Sequence, residues 1–224
     1  CEGVVFINMI LTSGREYGSA GNQIGQERAK QRNIPCYDKE LLDRAAKDSG
    51  LCKEVFENHD EKPTNSFLYS LVMDTYSYGY SSSVLSDMPL NQKVFLAQFD
   101  SIKKLAQEGP CVIIGRCAEY ALEDNPNCLS VFIHADLDKR IRRIARLYSL
   151  TDAKAKDKII KTDKRRASYY NYYTSKKWGD LDSYNLSLDS GLLGIDGTVS
   201  MLKYAIDLKE KNCKKKIFDC EPKV

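Results

Sequence analysis

Residues Ser13 to Gly25 have the composition of a loop that holds phosphate. They read Ser-Gly-Arg-Glu-Tyr-Gly-Ser-Ala-Gly-Asn-Gln-Ile-Gly and follow an apolar run from Val4 to Leu11. A strand that ends in small residues and leads into a helix directs several free backbone N–H groups at one point, which suits an anion. A plain glycine-rich turn between a strand and a helix is the alternative. The predicted phosphate contacts are Gly18, Ser19, Ala20, Gly21, Asn22 and Gln23.

Two groups that usually complete such a loop are missing from the sequence. The common form ends in Gly-Lys-Ser/Thr, where the lysine contacts the β- and γ-phosphates and the hydroxyl binds Mg²⁺. Here Gly21-Asn22-Gln23 stands in that place. The loop alone therefore leaves open whether the site transfers phosphate or only binds it.

Length, cysteine content and charge limit the classes to which the protein can belong. The 224 residues suffice for one large domain without disulfides. The eight cysteines form no C-x-x-C pair and have no histidine at ligand spacing, so we expect reduced thiols and no metal site. No apolar run approaches the ~18 residues that span a bilayer, and no signal-peptide pattern is present. We therefore expect a cytoplasmic protein that does not bind membranes. Its net charge of only +3 also gives no reason to expect nucleic acid as a partner.

Alternating strands and helices predict an α/β fold with a central parallel sheet. After the loop we predict a helix from about Gln23 to Arg32, a short strand at 34–37 and a helix that begins near Asp38. Further strands are predicted at 111–114, 129–134 and 184–188, with helices around 95–106, 137–148, 159–166 and 195–206. We expect a single domain over residues 1–224, with a tyrosine-rich insertion at about 55–92 and a lid at about 140–180. The tyrosine-rich part is either an interface or a flap.

Ligands of an open parallel sheet bind beyond the carboxyl ends of its strands. Arg116 follows a buried strand and a glycine, where a guanidinium needs either a bound anion or a structural salt bridge. Asp38 follows the short second strand and is either a ligand or the cap of the next helix. His134 also ends a strand, but phosphoryl transfer needs no strong base, so it is left out of the predicted site.

The predicted lid carries many arginines. Asp163 and Arg166 lie three residues apart on one helical face, which indicates either a solvated ion pair or a functional pair. Arg140, Arg143 and Arg165 add further positive charge nearby. These arginines repel one another unless an anion neutralises them, which favours a lid that closes on phosphate.

Several segments together resemble the cytidylate kinase-like family. They are Arg15-Glu16-Tyr17-Gly18-Ser19-Ala20-Gly21, and the stretches at 34–41, 114–120, 163–170, 177–180 and 188–197. The resemblance implies a P-loop nucleoside monophosphate kinase-like fold of three layers with a helical lid. It also implies acceptor-binding roles for Asp38, Arg116, Asp163 and Arg166, and for Arg44, whose alternative is a surface role.

The combined interpretation is an ATP-dependent phosphotransferase that uses ATP and Mg²⁺ and acts on CMP or a related small acceptor. Its expected partners are small-molecule nucleotides, and the chain is expected to be a monomer or a homodimer. One alternative is a nucleotide-binding pseudokinase or sensor, since the loop lysine is absent; the other is a structural protein that has kept the fold. The predicted catalytic residues are Arg116, Arg140, Arg143 and Arg166.

Overall fold

The central element is a parallel sheet with strand order β2-β3-β1-β4-β5. The computed structural model describes residues 9–61 and 88–219, with side chains up to residue 213. Every strand pair in the described sheet is parallel, so the carboxyl ends of the strands share one edge. The strands are β1 (Ile10–Arg15), β2 (Cys36–Tyr37), β3 (Cys111–Ile114), β4 (Cys128–His134) and β5 (Leu186–Asp189).

Helices cover both faces of the sheet and make the fold three-layered, as predicted. A 3₁₀ turn at Leu181–Ser183 precedes β5, and the last helix is interrupted at Gly194, whose φ is 69°. The helices are α1 (Gly21–Arg32), α2 (Glu40–Ser49), α3 (Lys53–His59), α4 (Leu90–Glu108), α5 (Ala118–Ala121), α6 (Leu137–Tyr148), α7 (Asp152–Thr174) and α8 (Ser190–Asp219).

The core follows from the alternation of side chains along buried strands. In β1, Ile10 packs into the cluster that α4 and α7 cover, while Leu11 packs into the cluster that α1 and α8 cover. β3 is buried throughout, which explains its continuous run of apolar residues. The packing of helices on both faces of the sheet thereby fixes the positions of the strand ends.

Two element boundaries differ from the predictions near the loop. β1 continues through Gly14 and Arg15, which the sequence suggested as part of the loop, because these residues pair with Phe132 and Ile133 of β4. α2 begins at Glu40 and has no side-chain cap, since the Asp38 carboxylate has other partners.

Parts of the predicted insertion and of the N-terminal apolar run lie outside the described residues. These parts are residues 62–87 and 1–8, so the tyrosine-rich segment is among them. Over the described ranges, no helix combines the length and apolar character needed to cross a membrane.

Candidate nucleotide and acceptor site

The predicted phosphate loop connects β1 to α1 in a tight turn. Gly18 and Ala20 both have positive φ, 89° and 67°. A Cβ at Gly18 would lie 3.1 Å from Cβ of Arg140 and from Ile144, so α6 packs directly against the loop. α1 begins without a side-chain cap, and the first N–H groups of a helix have no acceptor within the helix. The loop thus has the strand, turn and open helix N-terminus that anion binding requires.

A basic cavity of about 510 Å³ opens beside this loop. Its lining includes Gly18, Ser19 and Ala20, and the start of α8 forms another wall. One face of α6 contributes four cations to it. They are Lys139, Arg142, Arg143 and Arg146.

The arginines that line this cavity lack acidic partners among the residues that the structure describes. Arg143 Nη2 donates to Gln23 Oε1 at 2.7 Å, a neutral amide, which leaves its charge uncompensated. In the described ranges, no ion pair joins Arg142, Arg143 or Arg146 to a carboxylate. Burial, together with the nearby charge of Arg146, lowers the pKa of Arg143. Positive charge thus accumulates next to the open helix N-terminus.

Arg140 differs from its neighbours on α6 because the chain itself neutralises it. Its Nε donates to the Ala135 carbonyl at 2.9 Å and lies 3.3 Å from Oε2 of Glu16, and its Nη1 donates to Asp163. Asp163 also accepts from the backbone N–H of Tyr17 at 2.7 Å. Arg140 and Asp163 therefore fix α6 and α7 against the loop.

A second group of arginines meets at the carboxyl ends of β1 and β3. Arg166 Nη1 donates to the Arg15 carbonyl at 3.2 Å. Glu61 lies between these two side chains, with its oxygens 2.9 Å from Arg15 Nη1 and 3.1 Å from Arg166 Nε. Burial raises the pKa of Glu61, but Arg15, Arg166 and Arg116 together outweigh burial and hold that pKa well below its usual range. Glu61 is therefore a buried anion.

Arg116 completes this group and is paired on two sides. Its Nε and Nη2 donate to the two oxygens of Asp60 at 3.0 and 2.9 Å, and its Nη1 donates to Asp38 at 3.1 Å. Burial lowers the pKa of Arg116, but Asp60, Glu61 and Asp38 together raise it overall. Three arginines thus meet three carboxylates, a set we call the arginine cluster: Arg15, Arg116, Arg166, Asp38, Asp60 and Glu61.

The structure brings most of the predicted site residues to one edge of the sheet. Asn22 Nδ2 donates to Asp38 Oδ2 at 2.6 Å, which joins the loop to the arginine cluster. Arg44 lies away from this edge, on the protein surface, where it pairs with Asp48 and Glu108. Asp60 and Glu61 were missed by the sequence analysis, although the need of buried arginines for counter-charges is a signal that such acids exist.

The polyphosphate of a nucleotide fits the basic cavity, because the donors there are arginines and open N–H groups. A ready-made magnesium site is not formed, since no group of three potential metal ligands occurs within the described part of the chain. Ser19 donates its hydroxyl to the Glu16 carbonyl at 2.9 Å, and Asp38 is shared between Asn22 and Arg116. Mg²⁺ commonly binds through substrate phosphates and one or two carboxylates, so the metal fits here only together with a nucleotide.

Comparisons with known proteins show the fold and the family of this chain. An uncharacterized protein from Eubacterium ventriosum has 31% identity and a TM-score of 0.67, with 89% of this chain and 98% of that chain covered. Shikimate kinase from Bacteroides thetaiotaomicron has 16% identity and a TM-score of 0.50 over the same shares, which shows a common fold. No curated protein matches. The model of the cytidylate kinase-like family matches residues 10–192, and the chain belongs to that family.

Proposed function

We propose that the protein transfers a phosphoryl group from ATP to CMP or a related small acceptor. The observation that supports this proposal is the set of unpaired arginines next to the phosphate loop. Arg143 is half-buried without a carboxylate partner among the described residues, and the exposed Arg142 and Arg146 add like charge beside it, so a bound anion is favourable at this place. Family membership makes a nucleotide the proposed anion.

Arg143 is proposed to supply the positive charge that the loop lacks. This proposal is supported by its contact with Gln23 Oε1 in the first turn of α1, one residue after Asn22, which stands where the lysine is usual. A preorganised donor at the developing charge of a transition state contributes about 3 kcal/mol. The loop N–H groups, with Arg142 and Arg146, are proposed to hold the remaining donor phosphates, with Mg²⁺ bound as part of the ATP complex.

The arginine cluster is the proposed acceptor site. Arg116, Asp38 and Arg166 lie at the strand ends beside the loop, so an acceptor held there is next to the donor. Both arginines already have carboxylate partners, and an anionic acceptor therefore has to replace Glu61 or Asp60. Arg140 and Asp163 are proposed to act by fixing the lid helices against the loop.

A nucleotide-binding sensor without turnover is the second candidate. Two observations favour it: the missing loop lysine and the saturation of Arg116 by Asp60 and Asp38. The sensor needs the same basic cavity, so nucleotide binding does not separate the two candidates. Turnover does.

The test is ADP release by the purified protein with ATP and Mg²⁺, measured with CMP, dCMP, UMP, AMP or GMP and without acceptor. We expect ADP release that depends on the acceptor and that falls strongly in Arg143→Ala. Arg165→Ala is the matched control, because Arg165 is exposed on α7 and does not line the cavity. ATP binding without ADP release would favour the sensor instead, and release unaffected by Arg143→Ala would overturn the proposed donor site.

A further inference from the structure

An acid of the chain itself occupies the edge of Arg116 that suits a phosphate group. One oxygen of Asp60 lies 3.0 Å from Nε of Arg116, and the other lies 2.9 Å from Nη2. Arginine binds a phosphate group in the same way, with two hydrogen bonds from one edge of the guanidinium. The Asp60 carboxylate therefore takes the place that the anionic group of an acceptor would need.

Arg116 does not depend on Asp60 alone for its position. Its Nη1 donates to Asp38 at 3.1 Å and to the backbone carbonyl of Ile114 at 3.2 Å. Both contacts use a nitrogen that Asp60 does not touch. When Asp60 turns away, the guanidinium thus keeps its place and one carboxylate partner, while Nε and Nη2 become available to another anion.

Asp60 is the less firmly held of the two adjacent acids at this place. Glu61 lies between two arginines, and its side chain is 8% exposed. Asp60 has Arg116 as its sole ion-pair partner in the described part of the chain, and its side chain is 26% exposed. Burial and the charge of Glu61 raise the pKa of Asp60 in spite of the arginines nearby, whereas the pKa of Glu61 is lowered. An incoming anion therefore replaces Asp60 more easily than Glu61.

The backbone around Asp60 also makes this contact easy to break. Asp60 directly follows α3, and the carboxyl end of a helix disfavours a nearby negative charge. α3 has seven residues, of which Phe56 is the buried one. Arg116 and Glu61 both have positive φ, 54° and 51°, a strained conformation that is common at functional sites.

We propose that Asp60 is an internal competitor of the acceptor, an inference that rests on the acceptor site of the proposed function. The anionic group of the acceptor binds Nε and Nη2 of Arg116, and the Asp60 side chain turns toward solvent. We call this replacement the exchange. Glu61 stays between its two arginines and keeps them in position.

The exchange also selects the chemical class of the acceptor. A carboxylate acceptor would replace one monoanion by another and gain little. A phosphomonoester is close to a dianion at pH 7 and has three acceptor oxygens, so it gains more from the same guanidinium. The acceptor is therefore a phosphomonoester, and Asp60 is the residue that excludes carboxylates from Arg116.

Calorimetric titrations with inorganic phosphate and with acetate test the exchange, because the two probes represent the two classes of anion. Asp60→Asn keeps the size of the side chain and removes its charge. This variant should bind phosphate at least about tenfold more tightly than the natural chain, and it should also gain acetate binding.

Asp48→Asn is the matched control, because it removes one negative charge from a pair with Arg44 on the protein surface. It should bind both probes like the natural chain. Phosphate bound in the basic cavity contributes equally to all three proteins, so a difference between them reports on Arg116.

Three results would overturn the proposal: unchanged or weaker phosphate binding in Asp60→Asn, an equal gain in Asp48→Asn, or equal binding of phosphate and acetate by the natural chain. If Asp60→Asn fails to fold, a crystal structure of the natural chain with saturating phosphate decides. Phosphate on Nε and Nη2 of Arg116 supports the exchange, whereas Asp60 still on these atoms overturns it.

The ADP-release assay separates this inference from the proposed function. Tighter phosphate binding by Asp60→Asn without ADP release by the natural chain would support the exchange and contradict the phosphoryl transfer. Acceptor-dependent ADP release together with unchanged phosphate binding by Asp60→Asn would support the transfer and overturn the exchange.

Discussion

The protein has two groups of arginines at the same edge of the sheet, and they differ in their counter-charges. Arg142, Arg143 and Arg146 of α6 face an open cavity to which the described part of the chain contributes no carboxylate. In the arginine cluster, Asp38, Asp60 and Glu61 neutralise every arginine. The first group has positive charge to offer the proposed donor phosphates, whereas the second is neutralised by the chain's own acids, so the proposed acceptor has to displace one of those carboxylates. A high local density of arginines therefore does not by itself show whether the chain supplies the counter-charges.

The largest expected effect comes from removing the buried acid of the arginine cluster. Glu61→Ala leaves Arg15 and Arg166 without their shared carboxylate, which should cost about 3–5 kcal/mol of unfolding free energy. Urea denaturation measures this loss. The control is Glu123→Gln. Glu123 pairs with the half-exposed Lys176, so this substitution should lower the unfolding free energy by at most about 1 kcal/mol. Equal losses in the two variants would contradict the structural role of the cluster.

The next effect concerns Glu119, a buried carboxyl that, unlike Glu61, forms no ion pair with an arginine in the described part of the chain. Burial raises the pKa of Glu119 to about 7 from 4.5. The folded state therefore binds a proton more tightly than the unfolded state, so stability falls as the pH rises from about 4.5 to about 7 and is then constant. The expected contribution is about 3 kcal/mol from a shift of this size.

Glu119→Gln should remove this decrease, which urea denaturation at a series of pH values measures. The effect has the opposite sign to that of Glu61, whose pKa is lowered and whose contribution is lost as the pH falls. An unchanged pH profile in Glu119→Gln would show that Glu119 is not the titrating group.

Single arginines of the basic cavity should affect binding more than folding. Arg146→Ala removes one unpaired charge, which should weaken ATP binding about tenfold, since a hydrogen bond to a charged group contributes about 1.5 kcal/mol or more. Its unfolding midpoint in urea should stay close to that of the natural chain, because no ion pair is broken. A large loss of stability with unchanged ATP affinity would show that Arg146 stabilises the fold and does not bind ATP.

A smaller effect is expected from restoring a cation to the loop. Asn22 donates to Asp38, so a lysine at this position is attracted to Asp38 as well as to phosphate. Asn22→Lys should therefore raise acceptor-dependent ADP release by less than about tenfold, below the full value of a well-placed donor. Asn22→Gln, which adds length without charge, is the control. A decrease in both variants would mean that the Asn22–Asp38 contact is needed for turnover.

The smallest effect is expected at Arg44. It lies on the surface with Asp48 and Glu108 as partners, outside both arginine groups. Arg44→Ala should leave ATP affinity and acceptor-dependent ADP release unchanged in the assays above. Loss of acceptor-dependent ADP release in Arg44→Ala would instead support the acceptor-binding role that the family resemblance implies.

The sequence predicts the sheet and the loop well because both depend on local patterns. The buried run of β3 and the small residues after β1 are visible in any short window of the chain. The predicted positions Arg116 and Asp38 also come to one edge, because the carboxyl ends of parallel strands meet there. Asp163 lies on α7 and reaches the loop through the N–H of Tyr17.

The sequence does not predict which arginines are neutralised. Glu61 and Arg15 are 46 residues apart, and Asp60 and Arg116 are 56 apart, so no local pattern pairs them. From the sequence, the mutual repulsion of Arg140, Arg143, Arg165 and Arg166 favours an external anion. For Arg140 and Arg166 the chain supplies the acids itself. Pairing over such distances depends on the packing of α3 and α7 around the strand ends.

The most direct test of the account is a calorimetric titration of ATP into the natural chain and into Arg143→Ala and Arg165→Ala. The account predicts that Arg143→Ala binds ATP about 10–100-fold more weakly, as expected for a lost charged donor, while Arg165→Ala binds like the natural chain. Equal affinities in all three proteins, or no ATP binding by the natural chain, would contradict the central claim that the unpaired arginines of α6 form the nucleotide site.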